Sequence, residues 1–454
     1  MSIQTAHGVQ PRRPWGLAPW LLVGMGALFF ASYNLANWAT SRRADVPFFY
    51  FGWETHIPFV PWSIVPYWSI DLLYGLSFFL CSTRPELLTH VKRLLMAQLV
   101  SVACFLAFPL RFAFERPAAQ GLPGQLFELL GGFDRPFNQA PSLHISLLVI
   151  LWVAYAAHVR GAWRWLLHGW FALIGVSVLT TYQHHFIDVP TGWLLGWLCV
   201  FAWPMEKTPA PAQPDPRARR LAWRYAWGAA ALLLLALAAL RVSVSWGLLL
   251  AWAALALACV TAIYWRGTAQ GFQKRADGRM PMATYWTLAP YLIGAWINSR
   301  AWTRGRPPAS LLAAGVWVGR WPSAAQARRL GVEAMVDLCA ELPRRARVTH
   351  YRCVPVLDLT VPAPAQLREA VRALSGFQRA GYPVLVCCAL GYSRSALVAA
   401  AWLARQENLR DAQQALQRLR ACHPQVTLGP DSMAALKIFI AQDEPYNGHA
   451  ESGQ

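Results

Sequence analysis

The sequence predicts two parts: an N-terminal all-α polytopic membrane bundle of about eight spans, then a C-terminal α/β domain. Three observations carry that reading. The chain of 454 residues is 56% hydrophobic, only 14% charged and carries 24 Trp, a combination foreign to an ordinary soluble domain. Apolar runs recur from Leu17 to Trp265. Beyond Leu311 the pattern changes to short β-type runs alternating with helical ones.

A bilayer core of about 30 Å takes about 20 mainly apolar residues per helix. By that measure the spans fall at 17–37, 62–82, 94–112, 145–159, 164–182, 188–204, 224–240 and 246–265. Arg12 and Arg13 precede the first run, but no clear small-residue cleavage site follows it, so it reads as a transmembrane helix. One set of connections holds Arg84, Lys92, Arg93, Arg160, Arg164, Lys207, Arg217, Arg219 and Arg220; the other holds fewer cations, among them Arg42, Arg43, Arg111, Arg116 and Arg135. The richer side is expected to be cytoplasmic.

That orientation puts residues 113–144 and 184–188 together on the extracytoplasmic side and returns the chain to the cytoplasm near Trp265. An integral protein of a bacterial inner (cytoplasmic) membrane with a cytoplasmic C-terminal domain is expected. The net charge of +19 flanks the apolar runs, as positive-inside topology requires, and no nucleic-acid motif accompanies it. Nucleic acid is therefore not an expected partner. The nine cysteines are odd in number and scattered, which suits a reducing compartment better than a disulfide framework.

The domain boundaries follow. Residues 1–206 form a six-helix membrane unit; 207–223, with its Thr-Pro-Ala-Pro-Ala-Gln-Pro-Asp-Pro run, form a linker; 224–265 hold two further spans. Residues 266–310 are juxtamembrane. Within them, 285–296 are too short and too interrupted to span, and their Trp and Tyr residues suit either the headgroup interface or packing on the soluble domain. The α/β domain covers 311–442 and a tail covers 443–454. Its expected strands are 315–319, 334–338, 351–357 and 383–388, with helices at 323–330, 365–380, 395–406, 411–421 and 432–441.

The last strand leads into Cys388-Ala389-Leu390-Gly391-Tyr392-Ser393-Arg394-Ser395. A cysteine that ends a strand, with an arginine opening a helix after five residues, suits phosphate. The backbone N–H groups of Ala389, Leu390, Gly391, Tyr392, Ser393 and Arg394 can curl around three phosphoryl oxygens at a helix N-terminus. Arg394 can bind two oxygens in a planar fork, and the same field favours a Cys388 thiolate able to attack phosphorus. Asp358 is the candidate acid for the leaving alkoxide, and Ser395 can hydrogen-bond the sulfur.

This segment resembles the dual-specificity branch of the protein tyrosine phosphatase superfamily, whose motif is His-Cys-x2-Gly-x2-Arg followed by Ser or Thr. The resemblance covers about residues 311–442, including Val316-Trp317-Val318-Gly319-Arg320-Trp321-Pro322-Ser323. It implies Cys388 as nucleophile, Arg394 as phosphate ligand and Asp358 as general acid. Cys387 stands where the family usually has His, and the vicinal thiols offer reversible oxidation as a control. The loop lacks the lysines that phosphoinositide phosphatases of this superfamily often carry, which argues against a polyphosphoinositide.

A second set of residues lies among the spans: Pro141-Ser142-Leu143-His144 and His184-His185-Phe186-Ile187-Asp188. His184 and Asp188, one helical turn apart, can pair so that the carboxylate binds one ring nitrogen and leaves the other nucleophilic. His144 can protonate a leaving group, and Arg116 with Arg111 can neutralise phosphate oxygens. The arrangement resembles the type 2 phosphatidic acid phosphatase superfamily over about residues 20–204, and its inositol phosphorylceramide synthase side in particular. That resemblance implies His184 as nucleophile, Asp188 as its orienting partner, His144 as general acid, and Ser142 and Arg116 as phosphate ligands. Leu143, Val178 and Pro109 depart from the family motifs, standing where they have Gly, Arg and Lys.

The expected function is a bifunctional membrane phosphatase acting on phosphate monoesters of membrane lipids, with hydrolysis or headgroup transfer at the histidines. A phosphoprotein substrate for the cysteine domain, or an inactive membrane module acting as a sensor, are the alternatives. Both mechanisms run through covalent protein intermediates and no zinc-type spacing is present, so neither metal nor other cofactor is expected.

Overall fold

The computed structural model describes residues 13–132, 135–205, 215–313 and 315–442. The expected tail, residues 207–214 of the linker and Arg12 lie outside them. The chain divides into two compact units, Met1–Lys207 and Thr208–Gln454.

The first unit is helical: α1 (Ala18–Ser41), α2 (Ile64–Leu80), α3 (Arg84–Ala107), α4 (Gly121–Gly131), α5 (Leu143–His158), α6 (Trp163–Thr180) and α7 (Asp188–Ala202). Thr83 caps α3 by accepting from the Glu86 N–H, with Pro85 and an acid in the first turn, a strong start signal. The Ser142 hydroxyl does the same for α5 by accepting from the Ile145 N–H at 3.2 Å. Helix α5 is the centre of the unit, with Ile145 through Leu151 all buried.

Helix α7 lies against α5 because Gly192 and Gly196 remove the side chains that would keep them apart. A Cβ at Gly192 would overlap the Ser142 carbonyl oxygen, and one at Gly196 would sit 2.6 Å from Val149 Cβ. Ser146 Oγ fills the contact by donating to the Gly192 carbonyl at 3.0 Å. Small residues four apart allow this approach of two apolar helices. Its consequence is positional: the start of α7, with Asp188, meets the start of α5, with Ser142 and His144.

The second unit begins with α8 (Pro216–Leu240), α9 (Val244–Arg266) and α10 (Met282–Trp302). A five-stranded sheet follows: β1 (Ala309–Ala313), β2 (Val316–Arg320), β3 (Ala334–Cys339), β4 (His350–Val356) and β5 (Val384–Cys388), ordered β1-β2-β5-β3-β4. Only β1 is antiparallel. Helices α11 (Ala324–Arg329), α12 (Pro364–Arg379), α13 (Arg394–Gln406), α14 (Ala412–Cys422) and α15 (Pro430–Gln442) complete it. Strand β5 is central and buried throughout. Its side chains alternate: Val384, Val386 and Cys388 join the core with α12 and α13, whereas Leu385 and Cys387 join the cluster of Met335 and Val348.

Among the described residues, five helices are long and apolar enough to cross a membrane: Ala18–Ser41, Pro61–Leu80, Arg84–Ala107, Pro216–Leu240 and Val244–Arg266. The expected eight spans are not confirmed. Helices α5 and α7 are apolar but have 16 and 15 residues, which at about 1.5 Å per residue falls short of a bilayer core of about 30 Å. Both are trimmed at one end by the polar residues of the histidine motifs. Helix α6, with 18 residues, opens on Trp163-Arg164-Trp165 and contains His168.

A second departure concerns 285–296, which is one part of the uninterrupted 21-residue α10, with Pro290 inside it. Tertiary packing keeps this helix whole: Leu288, Leu292 and Ser299 are buried, and Ser299 Oγ donates to the Ala389 carbonyl at 2.6 Å. The juxtamembrane segment is also fastened to the sheet by Lys274, whose Nζ reaches Asp337 Oδ2 at 2.7 Å and the Cys339 carbonyl at 2.6 Å. Tyr351 donates to the same carboxylate oxygen at 2.6 Å, so the buried pair is satisfied as such pairs must be.

Candidate active site

The cysteine loop runs from the carboxyl end of β5 to the start of α13, the position where parallel sheets present ligand sites. Cys388 Sγ, buried, accepts from the Gly391 N–H and from Ser395 Oγ, each at 3.2 Å. Gly391 has φ +86°, and a Cβ there would lie 2.6 Å from the Gly319 carbonyl carbon. Only glycine fits both the left-handed backbone and the contact. The loop is held from outside by the Trp321 N–H, which donates to the Cys388 carbonyl at 2.7 Å, and by the Thr427 N–H, which donates to the Tyr392 carbonyl at 2.9 Å.

Arg394 is buried at the head of α13 and faces two carboxylates. Nη1 donates to Glu341 Oε2 at 2.9 Å and to the Val356 carbonyl at 2.8 Å; Nη2 donates to Glu341 Oε1 at 2.7 Å and to Asp358 Oδ1 at 2.8 Å. Burial pushes the Glu341 carboxyl up, but the Arg394 charge and hydrogen bonds outweigh it and hold Glu341 below its ordinary value. For Asp358 burial wins: its carboxyl is raised, with Arg394 opposing and Glu341 assisting. Asp358 retains 26% side-chain exposure, so it can exchange protons. The following Leu359 has φ +58°, a local strain at the site. Tyr264 of α9 donates its hydroxyl to the Asp358 carbonyl at 3.2 Å.

Two residues of this site carry no motif signal. Glu341 is one. His423 is the other: its Nε2 lies 3.1 Å from the Gly391 carbonyl and its Nδ1 2.9 Å from Ser310 Oγ. Burial lowers its pKa, so the neutral ring donates to the loop carbonyl and accepts from the serine. A cavity of about 350 Å³ borders the site, with Glu341, Asp358 and Ala389 on the sheet side and Leu232, Leu257, Pro290 and Tyr291 of α8, α9 and α10 on the other.

The two vicinal thiols lie in different core clusters. Cys387 and Cys388 point to opposite faces of β5, and Cys387 is fully buried, which pushes its thiol well up. Strand alternation separates them.

In the helical unit, His184 Nε2 lies 3.1 Å from Ser142 Oγ and His184 Nδ1 3.2 Å from Asp188 Oδ2. Asp188 Oδ2 also accepts from the His185 N–H at 3.0 Å, and the Ser142 N–H donates to the Asp188 carbonyl at 3.2 Å. His144 follows on the first turn of α5, its ring stacked on Tyr67 with centroids 4.2 Å apart. Its Nε2 and Asp188 Oδ1 are buried without a hydrogen-bond partner among the described residues.

His185, by contrast, is fully engaged. Its Nδ1 lies 3.1 Å from Glu54 Oε2, and its Nε2 accepts from the Ala113 N–H at 3.0 Å. Glu54, remote in sequence, was not readable as a site residue. Arg111 donates to the Val46 carbonyl at 3.1 Å and lies over Phe48, and Arg116 lies over the Phe127 ring at 4.7 Å. The structure thus gathers Ser142, His184 and Asp188, with His144 on the adjoining turn. Among the described residues, no group of three or more His, Cys, Asp or Glu is arranged to hold a metal ion.

Residues 316–439 match the family model described as dual specificity phosphatase, catalytic domain. That segment is a dual specificity phosphatase domain, of the class that hydrolyses phosphoric monoesters. No curated protein matches the chain. Solved structures similar to it include PTPMT1 in complex with PI(5)P, at 20% identity over 30% of this chain and 95% of that chain, with a TM-score of 0.26. Human DUSP28 is similar at 26% identity over 30% of this chain and 94% of its own, TM-score 0.27. Tk-PTP in the active form is similar at 28% identity over 30% and 99%, TM-score 0.27.

Proposed function

We propose that the chain is a membrane-bound bifunctional phosphatase acting on phosphate monoesters of lipids, with its principal activity at Cys388. The observation that carries the lipid reading is the cavity beside Glu341, Asp358 and Ala389, whose far wall is made by apolar residues of α8, α9 and α10. Helices α8 and α9 are long and apolar enough to lie in a bilayer. A substrate with an alkyl chain gains about 0.8 kcal/mol for each methylene buried along such a wall, a gain that a polar peptide does not have.

The chemistry follows from the loop. The Cys388 thiolate attacks phosphorus while the P–O bond to the leaving alcohol breaks, and protonated Asp358 delivers its proton to that oxygen. Arg394 turns part of its fork from the carboxylates to the phosphoryl oxygens, together with the loop N–H groups of Ala389, Leu390, Gly391, Tyr392 and Ser393. Water, deprotonated by Asp358, then attacks the cysteinyl-phosphate. The S–P bond breaks, phosphate leaves, and Ser395 Oγ hydrogen-bonds the departing thiolate.

At the second site, His184 is the nucleophile, Asp188 its orienting partner, His144 the acid and Ser142 a phosphate ligand. The acceptor is water or a lipid alcohol. The distribution of Lys and Arg between the spans supports a cytoplasmic cysteine domain and extracytoplasmic histidines in a bacterial inner membrane.

The test compares purified full-length protein, Cys388→Ser and His184→Ala on phosphatidic acid in mixed micelles and on a phosphotyrosine peptide. Loss of most lipid hydrolysis in Cys388→Ser, and of the remainder in the double variant, is expected. Peptide turnover with no lipid turnover would overturn the lipid reading.

A further inference from the structure

The cysteine loop has a second, cationic flank that the proposed chemistry does not use. Buried Trp321, whose N–H holds the Cys388 carbonyl, packs with Ala389 and Leu342. Arg300 and Arg345 place their guanidinium carbons 5.4 and 5.5 Å from the Trp321 ring centroid. Arg300 Nη2 donates to the Trp321 carbonyl at 3.1 Å. Arg320 precedes Trp321, lies in register with Cys388 on the neighbouring strand, and donates through Nη1 to Thr303 Oγ1.

Among the described residues, none of these three cations pairs with a carboxylate. Arg300 Nη1 and Arg320 Nε are buried without any hydrogen-bond partner. Burial, and then repulsion from Arg320 and Arg345, push the Arg300 guanidinium down to about 10. One aromatic ring offsets only part of the cost of three neighbouring cations. A tetrahedral anion with several charged oxygens offsets the rest, since each guanidinium offers a donor fork that matches it.

We propose that Arg300 and Arg345, which lie over Trp321, and the adjoining Arg320 form a second anion site for a phosphate group, separate from the cysteine loop they adjoin. Arg394 does not belong to it, because its donors are taken by Glu341, Asp358 and Val356. The group is inorganic phosphate, a soluble phosphate ester, or the phosphate of an anionic lipid headgroup.

Equilibrium binding of radiolabelled inorganic phosphate to the full-length protein in detergent tests this. The phosphate bound per chain is expected to fall by one in Arg300→Gln/Arg345→Gln, with an unchanged circular dichroism spectrum. Should that variant unfold, Arg345→Gln alone, at an exposed position, is expected to weaken one class of sites about tenfold, the loss of one charge-assisted hydrogen bond. Equal binding by wild type and the folded variants overturns the site. Reconstitution into phosphatidylcholine vesicles with and without phosphatidylglycerol then separates the sources. Loss of the arginine-dependent phosphate binding only with phosphatidylglycerol assigns the site to a lipid headgroup; retention in both assigns it to soluble phosphate.

Discussion

Arg394 and Glu341 form a buried two-point ion pair, Nη1 to Oε2 at 2.9 Å and Nη2 to Oε1 at 2.7 Å. The pair fixes the orientation of the guanidinium at the head of α13. Glu341→Gln keeps the shape but removes the charge. It is expected to lower kcat/KM on a soluble phosphomonoester by about 10- to 100-fold, since one charged hydrogen bond contributes roughly 1.5–3 kcal/mol. Glu341→Ala leaves an uncompensated buried charge and is expected to destabilise the domain by about 3–5 kcal/mol, measured by urea unfolding. Activity unchanged in both variants would remove Glu341 from the site.

Asp358 has a carboxyl raised by burial, so it stays protonated to a higher pH than an ordinary carboxyl. The rate of the first chemical step is expected to fall as pH rises through this raised value. Asp358→Asn is expected to lose about 10²- to 10⁴-fold in kcat and to flatten that basic limb. A persisting limb in the variant would assign it to another group.

His423 is neutral in the fold because burial lowers its pKa from the ordinary 6.5. The unfolded chain takes up the proton first, so the stability this residue contributes is complete above 6.5 and is lost as pH falls toward the lowered folded value. His423→Gln, which can still donate to the Gly391 carbonyl, is expected to show a smaller drop in Tm across that acidic window. A parallel drop in both proteins would show that other groups control it.

Gly391 and Cys387 make a contrasting pair of substitutions. Gly391→Ala meets both the positive φ and the Gly319 backbone, and is expected to abolish turnover by Cys388 while the helical unit stays folded. Cys387→Ala removes a thiol that faces the other core and is expected to leave kcat within about twofold, at a stability cost of about 1 kcal/mol. Mass spectrometry after mild peroxide is expected to find oxidation at Cys388 and none at Cys387.

His184 and His185 are adjacent in sequence but differ in their partners: His184 meets Ser142 and Asp188, whereas His185 meets Glu54 and the Ala113 N–H. His184→Ala is expected to remove turnover at the histidine site with little change in Tm. Glu54→Gln is expected to lower Tm first, because Glu54 Oε2 serves both His185 Nδ1 and the Phe186 N–H. Reversal of these two effects, read by lipid hydrolysis and thermal unfolding, would make His185 the reactive ring.

Much of the cysteine site was legible because its parts are local. Strand, loop and helix lie within one short run, so the spacing of Cys388 and Arg394 and the glycine between them state the geometry directly. The β5 and α13 positions fall within a residue or two of expectation. Glu341 and His423 were not legible: each reaches the loop from an element distant in sequence, and neither residue type at its position predicts that contact. The full length of α10 was not legible either: Pro290 interrupts the local pattern, while Leu292 and Ser299, packed in the tertiary structure, belong to one continuous helix.

By itself the sequence determined an apolar helical part, an α/β domain and the cysteine loop, since periodicity, hydropathy and short-range spacing are properties of neighbouring residues. The tertiary structure alone decided which partners the charged groups have. It turned Arg394 to Glu341 and Asp358, set Cys387 on the other face of β5 from Cys388, brought α8, α9 and α10 to the edge of the cysteine site, and placed Arg300 and Arg345 over Trp321. The physical reason is range: charge pairing and desolvation act through space between segments far apart in the chain, where no local pattern records them.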